Sequence, residues 1–207
     1  MTEKLRLGVF GGSFDPVHLG HLKAAESAKS ALQLNKVLFV PAGHQWQKTG
    51  SASSADRLAM LQLALNGHKG LEVSTVDIDR DGPTYTVDTL QDLAEAYPQS
   101  ELFFLLGTDA FAGLDTWHRA DELFKFATLV VINRPGVPVS VPRVAEGKPS
   151  GYLVLDLPTI DLSSTEFRQK YGLDLDCSGL LDPDVLTYIR EHGLYREHQD
   201  HDRQTAN

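Results

Sequence analysis

The chain has 207 residues, enough for one domain with a large hydrophobic core. It contains 28 acidic and 19 basic residues, which gives a formal net charge of -9, and 42% of its residues are hydrophobic. This balance argues against nucleic acid or an anionic membrane surface as a partner, because both bind to basic surfaces.

The single cysteine, Cys177, excludes an internal disulfide and suits a reducing compartment. The first ten residues hold too short an apolar run for a signal peptide, and no run approaches the ~20 residues of a membrane span. We therefore expect a cytoplasmic protein with no membrane or nucleic-acid partner. The composition does not exclude a small phosphorylated substrate, and it does not exclude a homo-oligomer.

Short apolar, β-branched runs alternate with helical patterns along the chain. Strands are predicted at residues 5–10, 36–40, 71–76, 102–106, 128–132 and 152–156. Helices are predicted at residues 21–34, 55–65, 87–96, 120–126 and 182–193, the last with Asp182 as N-cap and Pro183 at the first helical position. This alternation predicts a doubly wound α/β fold, with a parallel sheet between two layers of helices. Residues 1–196 are predicted to form a single domain, and the polar tail 197–207 to be disordered.

The segment GGSFDPVHLGH follows the first predicted strand, where open parallel sheets bind their ligands. Gly11 and Gly12 are expected to allow a tight turn and to let an anion approach backbone N–H groups. His18 and His21 are three residues apart at the predicted helix start and can face one side together. The segment therefore indicates a phosphate cradle in which the two imidazoles donate hydrogen bonds to phosphoryl oxygens.

Other interpretations of this segment are weaker. A dinucleotide-binding turn would need GxGxxG and an acidic residue after the second strand, which instead ends in Pro41-Ala42-Gly43. Zinc would need at least a third ligand, and no partner is evident. No Walker A motif is present. A purely structural role, in which the histidines cap a helix and its loop, stays open.

A second anion site is predicted in LSSTEFR, residues 162–168. Ser163 and Glu166 fit a capping box, so a helix should begin here with free backbone N–H groups. The hydroxyls of Ser164 and Thr165 lie at that start, with Arg168 one turn further on. An ordinary capped helix with an exposed arginine is the alternative.

The run His18-Leu19-Gly20-His21 matches HxGH, and the chain resembles the bacterial nicotinate-nucleotide adenylyltransferases of the nucleotidyltransferase superfamily. The resemblance reaches about Tyr195 and rests on motifs in family order: GGSFDPVHLGHL, GPTYTVDTL (82–90), GTD (107–109) with Trp117 eight residues on, NRPG (133–136) and LSSTEFR. It implies a Rossmann-like nucleotidyltransferase fold. It also implies an enzyme of NAD biosynthesis that joins ATP and nicotinic acid mononucleotide into nicotinate adenine dinucleotide and pyrophosphate.

The resemblance also implies site residues. The catalytic set is His18, His21 and Arg168, which would also contact ATP together with Gly11, Gly12, Ser13, Phe14, Gly107, Asp109, Arg134, Ser164 and Thr165. The β- and γ-phosphates would be held by the LSSTEFR segment. Mg²⁺ is expected on ATP oxygens and water, without a dedicated set of protein ligands.

The mononucleotide site implied by the resemblance comprises Ser13, Lys48, Tyr85, Thr86 and Trp117. Backbone N–H groups at the helix start after Tyr85 would hold the nicotinate carboxylate, and the Trp117 indole would stack on the cationic pyridine ring. Nicotinamide mononucleotide as the acceptor is one alternative, since only the carboxylate separates the two substrates. A nucleotide sensor that binds ATP without releasing pyrophosphate is another.

Overall fold

The computed structural model describes residues 4–43, 52–157 and 162–196. The strands of this part are β1 Leu5–Gly12, β2 Lys36–Pro41, β3 Leu71–Val73, β4 Ser100–Gly107, β5 Ala127–Asn133 and β6 Tyr152–Asp156. The α-helices are α1 Leu19–Ala31, α2 Ser54–Leu65, α3 Thr86–Ala96, α4 Thr108–Ala112, α5 Leu123–Phe126, α6 Ser164–Gly172 and α7 Pro183–Glu191. Short 3₁₀ helices lie at Leu114–Thr116, Ala120–Glu122 and Arg143–Ala145.

These strands pair in parallel in one sheet with the order β3-β2-β1-β4-β5-β6. This is the strand order of the doubly wound nucleotide-binding fold, so the predicted fold class is confirmed. The strand order reverses between β1 and β4. Ligands of such sheets bind in the crevice outside the carboxyl ends of the strands at this switch point. The GGSFDPVHLGH segment spans the end of β1, the β1–α1 connection and the start of α1, and lies there.

Helices cover both faces of the sheet because its central strands are apolar on both sides. On one face α1, α2, α6 and α7 pack around residues such as Met60 and Phe167. On the other, α3, α4 and α5 pack around residues such as Leu90 and Phe111. The continuous apolar runs LFFLL and LVVI in β4 and β5 are typical of strands buried on both faces.

Several predicted boundaries differ from those observed, and three of these differences have a local cause. The first helix begins at Leu19 rather than at residue 21, because the His18 side chain already serves as its N-cap. The third strand ends at Val73 rather than at residue 76, since Thr75 begins a turn closed by the Asp79 N–H and carboxylate. The segment 120–126 divides into a 3₁₀ helix and α5.

The predicted start of the last helix is confirmed, because the Asp182 carboxylate accepts a hydrogen bond from the Asp184 N–H, with Pro183 at the first helical position. Among the described residues, no helix is long and apolar enough to cross a membrane. The predicted tail, 197–207, lies outside the described residues.

Candidate active site

His18 and His21 cap the start of α1 reciprocally. The Nδ1 atom of His18 accepts a hydrogen bond from the His21 N–H at 3.3 Å, and the Nδ1 atom of His21 accepts one from the His18 N–H at 3.2 Å. The two rings stack with their centroids 3.5 Å apart. Because both Nδ1 atoms act as acceptors, the proton of each neutral ring lies on Nε2. The pair thus offers two Nε2–H donors side by side.

Both imidazoles are neutral at pH 7. Burial lowers the pKa of His18 to about 4. Burial and the neighbouring His18 hold the pKa of His21 well below its usual 6.5. Aromatic rings supply the apolar surroundings of His21, with the ring centroids of Phe14 and Phe10 lying 5.1 and 5.9 Å away. The pair therefore offers its two donors without a formal charge.

The neutral His18 should make the fold sensitive to acid. The unfolded chain takes up this proton near pH 6.5 and the folded chain only near pH 4. The stability due to neutral His18 is therefore complete above pH 6.5 and is lost as the pH falls towards 4, by about 3 kcal/mol over that range. Urea unfolding at pH 8, 6 and 5 measures the loss. We expect a shallower dependence in His18→Asn, whose side-chain oxygen can still cap α1, and an unchanged dependence would contradict this assignment.

Gly11 and Gly12 do not form the tight turn expected from the sequence, because both lie within β1. The turn instead lies at Asp15 and Pro16, and Phe14 just before it adopts a left-handed conformation with φ of +48°. A Cβ atom on Gly12 would lie 3.1 Å from the Phe14 ring, and one on Gly11 would lie 3.4 Å from the Phe104 ring. The glycines therefore admit aromatic rings against the end of β1.

The β1–α1 loop, residues 13–18, is held by a buried arginine that the sequence analysis missed. The Arg57 guanidinium donates to the carbonyls of Ser13 at 2.8 Å, Ala42 at 2.6 Å and Gly43 at 3.1 Å. Its side chain is only 2% exposed. One sequence signal was available, since Arg57 shares the apolar face of α2 with Met60 and Leu61, three and four residues on.

The start of α6 meets the β1–α1 loop. The Ser164 hydroxyl donates to the Pro16 carbonyl at 2.9 Å, and Arg168 Nη1 donates to the Asp15 carbonyl at 2.6 Å. Arg168 Nη2 also lies 3.3 Å from the Thr165 hydroxyl. The structure therefore places the two predicted anion-binding segments side by side.

Only half of the predicted capping box forms at this helix. The Ser163 hydroxyl accepts a hydrogen bond from the Glu166 N–H at 3.1 Å, which places Ser163 as the N-cap. The Glu166 carboxylate instead pairs with Lys170 at 2.8 Å, one turn further along α6. The helix therefore begins where the sequence predicted, with a single side-chain cap.

The residues predicted for the mononucleotide lie at the start of α3 and after α4. Tyr85 is the N-cap of α3 without a side-chain hydrogen bond, and Thr86 is the first helical residue. The half-buried Trp117 ring lies edge-on to Phe104, 6.3 Å between centroids, and Phe104 also faces Gly11. The neighbouring His118 ring lies 4.2 Å from the Tyr85 ring. Lys48 lies outside the described residues.

The remaining predicted residues follow the ends of β4 and β5, which are paired neighbours in the sheet. Gly107 ends β4, and Asp109 lies in the first turn of α4 with its side chain exposed. Arg134 follows β5 and is also exposed. Within the described ranges, no group of three His, Cys, Asp or Glu residues could hold a metal ion.

Comparison with known proteins agrees with this geometry. A family model described as cytidylyltransferase-like matches residues 9–170. A protein of Saccharopolyspora erythraea, named as a probable nicotinate-nucleotide adenylyltransferase, is 41% identical over 97% of this chain and 94% of its own length. A protein of Thermus thermophilus with the same name is 41% identical over 93% of this chain and all of its own length.

Solved structures show the same fold. A Plasmodium falciparum nicotinic acid mononucleotide adenylyltransferase complexed with NaAD superposes with a TM-score of 0.77 at 19% identity, covering 92% of this chain and 97% of the other. The same enzyme complexed with APC superposes with a TM-score of 0.74 at 20% identity, covering 93% of this chain and 98% of the other.

A parallel sheet in this order, with an HxGH histidine pair at the switch point, defines a Rossmann-like nucleotidyltransferase. The fold brings the histidines and the start of α6 together at one edge of the sheet. The chain belongs to the cytidylyltransferase-like family and, within it, to the nicotinate-nucleotide adenylyltransferases.

Proposed function

We propose that the chain transfers the adenylyl group of ATP to nicotinic acid mononucleotide, forming nicotinate adenine dinucleotide and pyrophosphate. One observation carries the chemistry: two stacked, neutral histidines, each with its proton on Nε2, lie where α6 brings Arg168 to the β1–α1 loop. The names of relatives at about 40% identity support the choice of acceptor.

The reaction needs little covalent chemistry from the protein. A phosphate oxygen of the mononucleotide attacks the α-phosphorus of ATP in line, and the bond to the pyrophosphate oxygen breaks. The attacking phosphate is already anionic at neutral pH, so a general base is unnecessary. The protein contributes positioning and stabilisation of the charge that develops on the transferred group.

The donors of α1 would act on the transferred phosphoryl group. The Nε2–H groups of His18 and His21 would hydrogen-bond its non-bridging oxygens. The backbone of Gly12 and Ser13 would add donors, and the start of α1 would favour the negative charge. Because both imidazoles are neutral and fixed by reciprocal capping, they need not reorganise as the charge develops.

The start of α6 would hold the leaving pyrophosphate through Ser164, Thr165 and Arg168. Arg168 uses Nη1 on the Asp15 carbonyl, and a guanidinium has five N–H donors, so others remain for pyrophosphate oxygens. This hydrogen bond fixes the guanidinium relative to the loop that carries His18. The same residue would thus link the two halves of the phosphate site.

The nucleoside portions would occupy the edges of the crevice. Adenosine is proposed beside Gly11, Phe14, Gly107, Asp109 and Arg134. Mg²⁺ bound to ATP oxygens and water would neutralise part of the triphosphate charge. The cytoplasmic location stays a prediction.

The acceptor mononucleotide would lie on the opposite side of the crevice from adenosine. Its pyridine ring would lie near Trp117 and its carboxylate at the backbone N–H groups that follow Tyr85. The uncapped N-terminus of α3 supports this placement, because its N–H groups receive no side-chain acceptor from Tyr85. Thr86 begins the helix there. Ser13 and Lys48 are proposed near the acceptor phosphate.

Trp117→Ala should raise the KM for nicotinic acid mononucleotide much more than the KM for ATP, because the indole face would contact only the pyridinium ring. We expect about 10-fold or more for the mononucleotide, equivalent to the loss of one desolvated cation–π contact. Steady-state kinetics with each substrate varied in turn measures the difference. Equal changes in both constants would assign Trp117 a packing role against Phe104 instead.

Pyrophosphate release with ATP and Mg²⁺ tests the function directly. Nicotinic acid mononucleotide, nicotinamide mononucleotide and phosphopantetheine are supplied in turn. Rapid release only with the first supports both the reaction and the carboxylate site. Comparable release with the first two would still support adenylyl transfer but would contradict the proposal that the start of α3 binds the nicotinate carboxylate. ATP binding without pyrophosphate release in the presence of any of these acceptors would indicate a sensor and overturn the proposal.

A further inference from the structure

Tyr195, near the end of the described C-terminal region, contacts the β1–α1 loop. The hydroxyl of Tyr195 donates to Asp15 Oδ1 at 2.6 Å, across 180 positions of sequence. Asp15 is only 4% exposed and lies three residues before His18. The same Oδ1 atom accepts the Ala52 N–H at 3.0 Å. One buried carboxylate therefore ties the loop to two distant segments.

Tyr195 lies at the end of the turn that follows α7 and has an unusual backbone conformation. Its φ is +62°, in the left-handed region that residues other than glycine rarely enter, and Gly193 with φ of +61° already ends α7. The conformation is held by tertiary contacts, since the Tyr195 ring lies edge-on to Phe167 at 6.2 Å while its hydroxyl reaches Asp15. Sites of this kind are enriched where geometry serves function.

The Asp15 carboxylate lies next to the proposed pyrophosphate clamp. Arg168 Nη1 is 3.8 Å from Asp15 Oδ2 and 2.6 Å from the Asp15 carbonyl. With Oδ1 fixed by Tyr195 and Ala52, Oδ2 faces Arg168. Burial and the Asp15 carboxylate both raise the pKa of the Tyr195 hydroxyl, so it stays protonated and remains a donor.

We infer that Tyr195 is a positioning residue for adenylyl transfer: by fixing the Asp15 carboxylate, it sets the place of the Arg168 guanidinium relative to the phosphates of ATP. This rests on the proposed function for the identity of the ligand. Tyr195 itself is not expected to touch either substrate. Loss of the Tyr195 hydroxyl should therefore impair the binding and reaction of ATP and leave the binding of nicotinic acid mononucleotide unchanged.

Tyr195→Phe removes only the hydroxyl and keeps the ring against Phe167. We expect kcat to fall about 10-fold and the KM for ATP to rise several-fold, since sub-ångström misplacement of a catalytic clamp has effects of this order. The KM for nicotinic acid mononucleotide should stay within about twofold, because its proposed contacts lie on α3 and at Trp117. A merely structural tyrosine would lower the melting temperature without separating the two KM values.

The chain offers a matched control in Tyr188→Phe. The Tyr188 hydroxyl donates to the Asp56 carboxylate at 3.0 Å and joins α7 to α2 rather than to Asp15. This variant loses the same kind of hydrogen bond from the same C-terminal region. It should keep kcat and both KM values. Equal kinetic constants in the two variants would overturn the inference.

Two further measurements keep the inference separate from the proposed function. Calorimetric titration with ATP needs no acceptor, and weaker ATP binding in Tyr195→Phe but not in Tyr188→Phe supports the inference even if no dinucleotide forms. A double-mutant cycle with Asp15→Asn tests the route. If Tyr195 acts through Asp15, the double variant is about as impaired as the worse single variant, whereas additive losses would overturn that route.

Discussion

His21→Ala is expected to keep the fold and to lower kcat by roughly 10²–10³, the usual loss when one preorganised donor to a transition state is removed. The Nε2–H of His21 is free to donate because its Nδ1 atom accepts the His18 N–H. The substitution removes both the donor and this cap. Turnover under saturating ATP and nicotinic acid mononucleotide measures the effect. A folded variant with near wild-type turnover would contradict the role of His21.

Two conservative variants separate the functions of the His21 ring. The side-chain oxygen of His21→Asn lies near the former Nδ1 position and can still cap His18, so this variant should keep its stability and lose turnover. The amide of His21→Gln reaches the former Nε2 position and should retain more turnover, with a weaker cap. If His21→Asn instead keeps turnover and His21→Gln loses it, the helix cap rather than the Nε2–H donor is what the reaction needs.

Arg57→Met is expected to have the largest effect on stability. The guanidinium satisfies three main-chain carbonyls at the ends of β1 and β2, and the methionine leaves the Ser13 and Ala42 carbonyls without this donor. Breaking such a buried charged network costs about 3–5 kcal/mol in the free energy of unfolding. The melting temperature should fall by about 10 °C in a chain of this size. Denaturant unfolding and calorimetry measure both quantities.

Arg190→Met is the matched control, because Arg190 is exposed on α7 and should change the free energy of unfolding by no more than about 0.5 kcal/mol. Arg57→Lys keeps the charge, but a single ammonium cannot reproduce the guanidinium fork that spans two strand ends. The free energy of unfolding of Arg57→Lys should lie between those of the wild-type chain and Arg57→Met. A stable Arg57→Met protein would show that water can replace the guanidinium at these carbonyls.

The fold class was predictable because it depends on local patterns. The alternation of apolar runs with helical periodicity predicted the parallel sheet, and Ser163 and Asp182 marked two helix starts correctly. These features act over three or four residues. The predicted end of β3 was wrong because a turn between Thr75 and Asp79, and not the hydrophobic pattern, decides where strand pairing stops. Boundaries of this kind depend on competition between short-range hydrogen bonds.

The site was predictable in its residue types but not in its geometry. The spacing of His18 and His21 placed both rings on one side of α1, whereas their reciprocal capping, and hence the Nε2 tautomer, follows from backbone positions at the helix start. The turn was assigned to Gly11 and Gly12, although it lies at Asp15 and Pro16 after a left-handed Phe14. A left-handed phenylalanine carries no local sequence signal, because the packing of its ring against Phe39 and His21 stabilises the conformation.

The sequence by itself determined the strand–helix order, the HxGH pair and the capped start of α6, because each depends on neighbours within one or two turns. Only the tertiary structure decided which distant groups hold the β1–α1 loop. Arg57, Arg168 and Tyr195 reach it from 44, 153 and 180 positions away. Such contacts are fixed when the whole core packs, since burying the loop's carbonyls and the Asp15 carboxylate is favourable only if donors arrive with them.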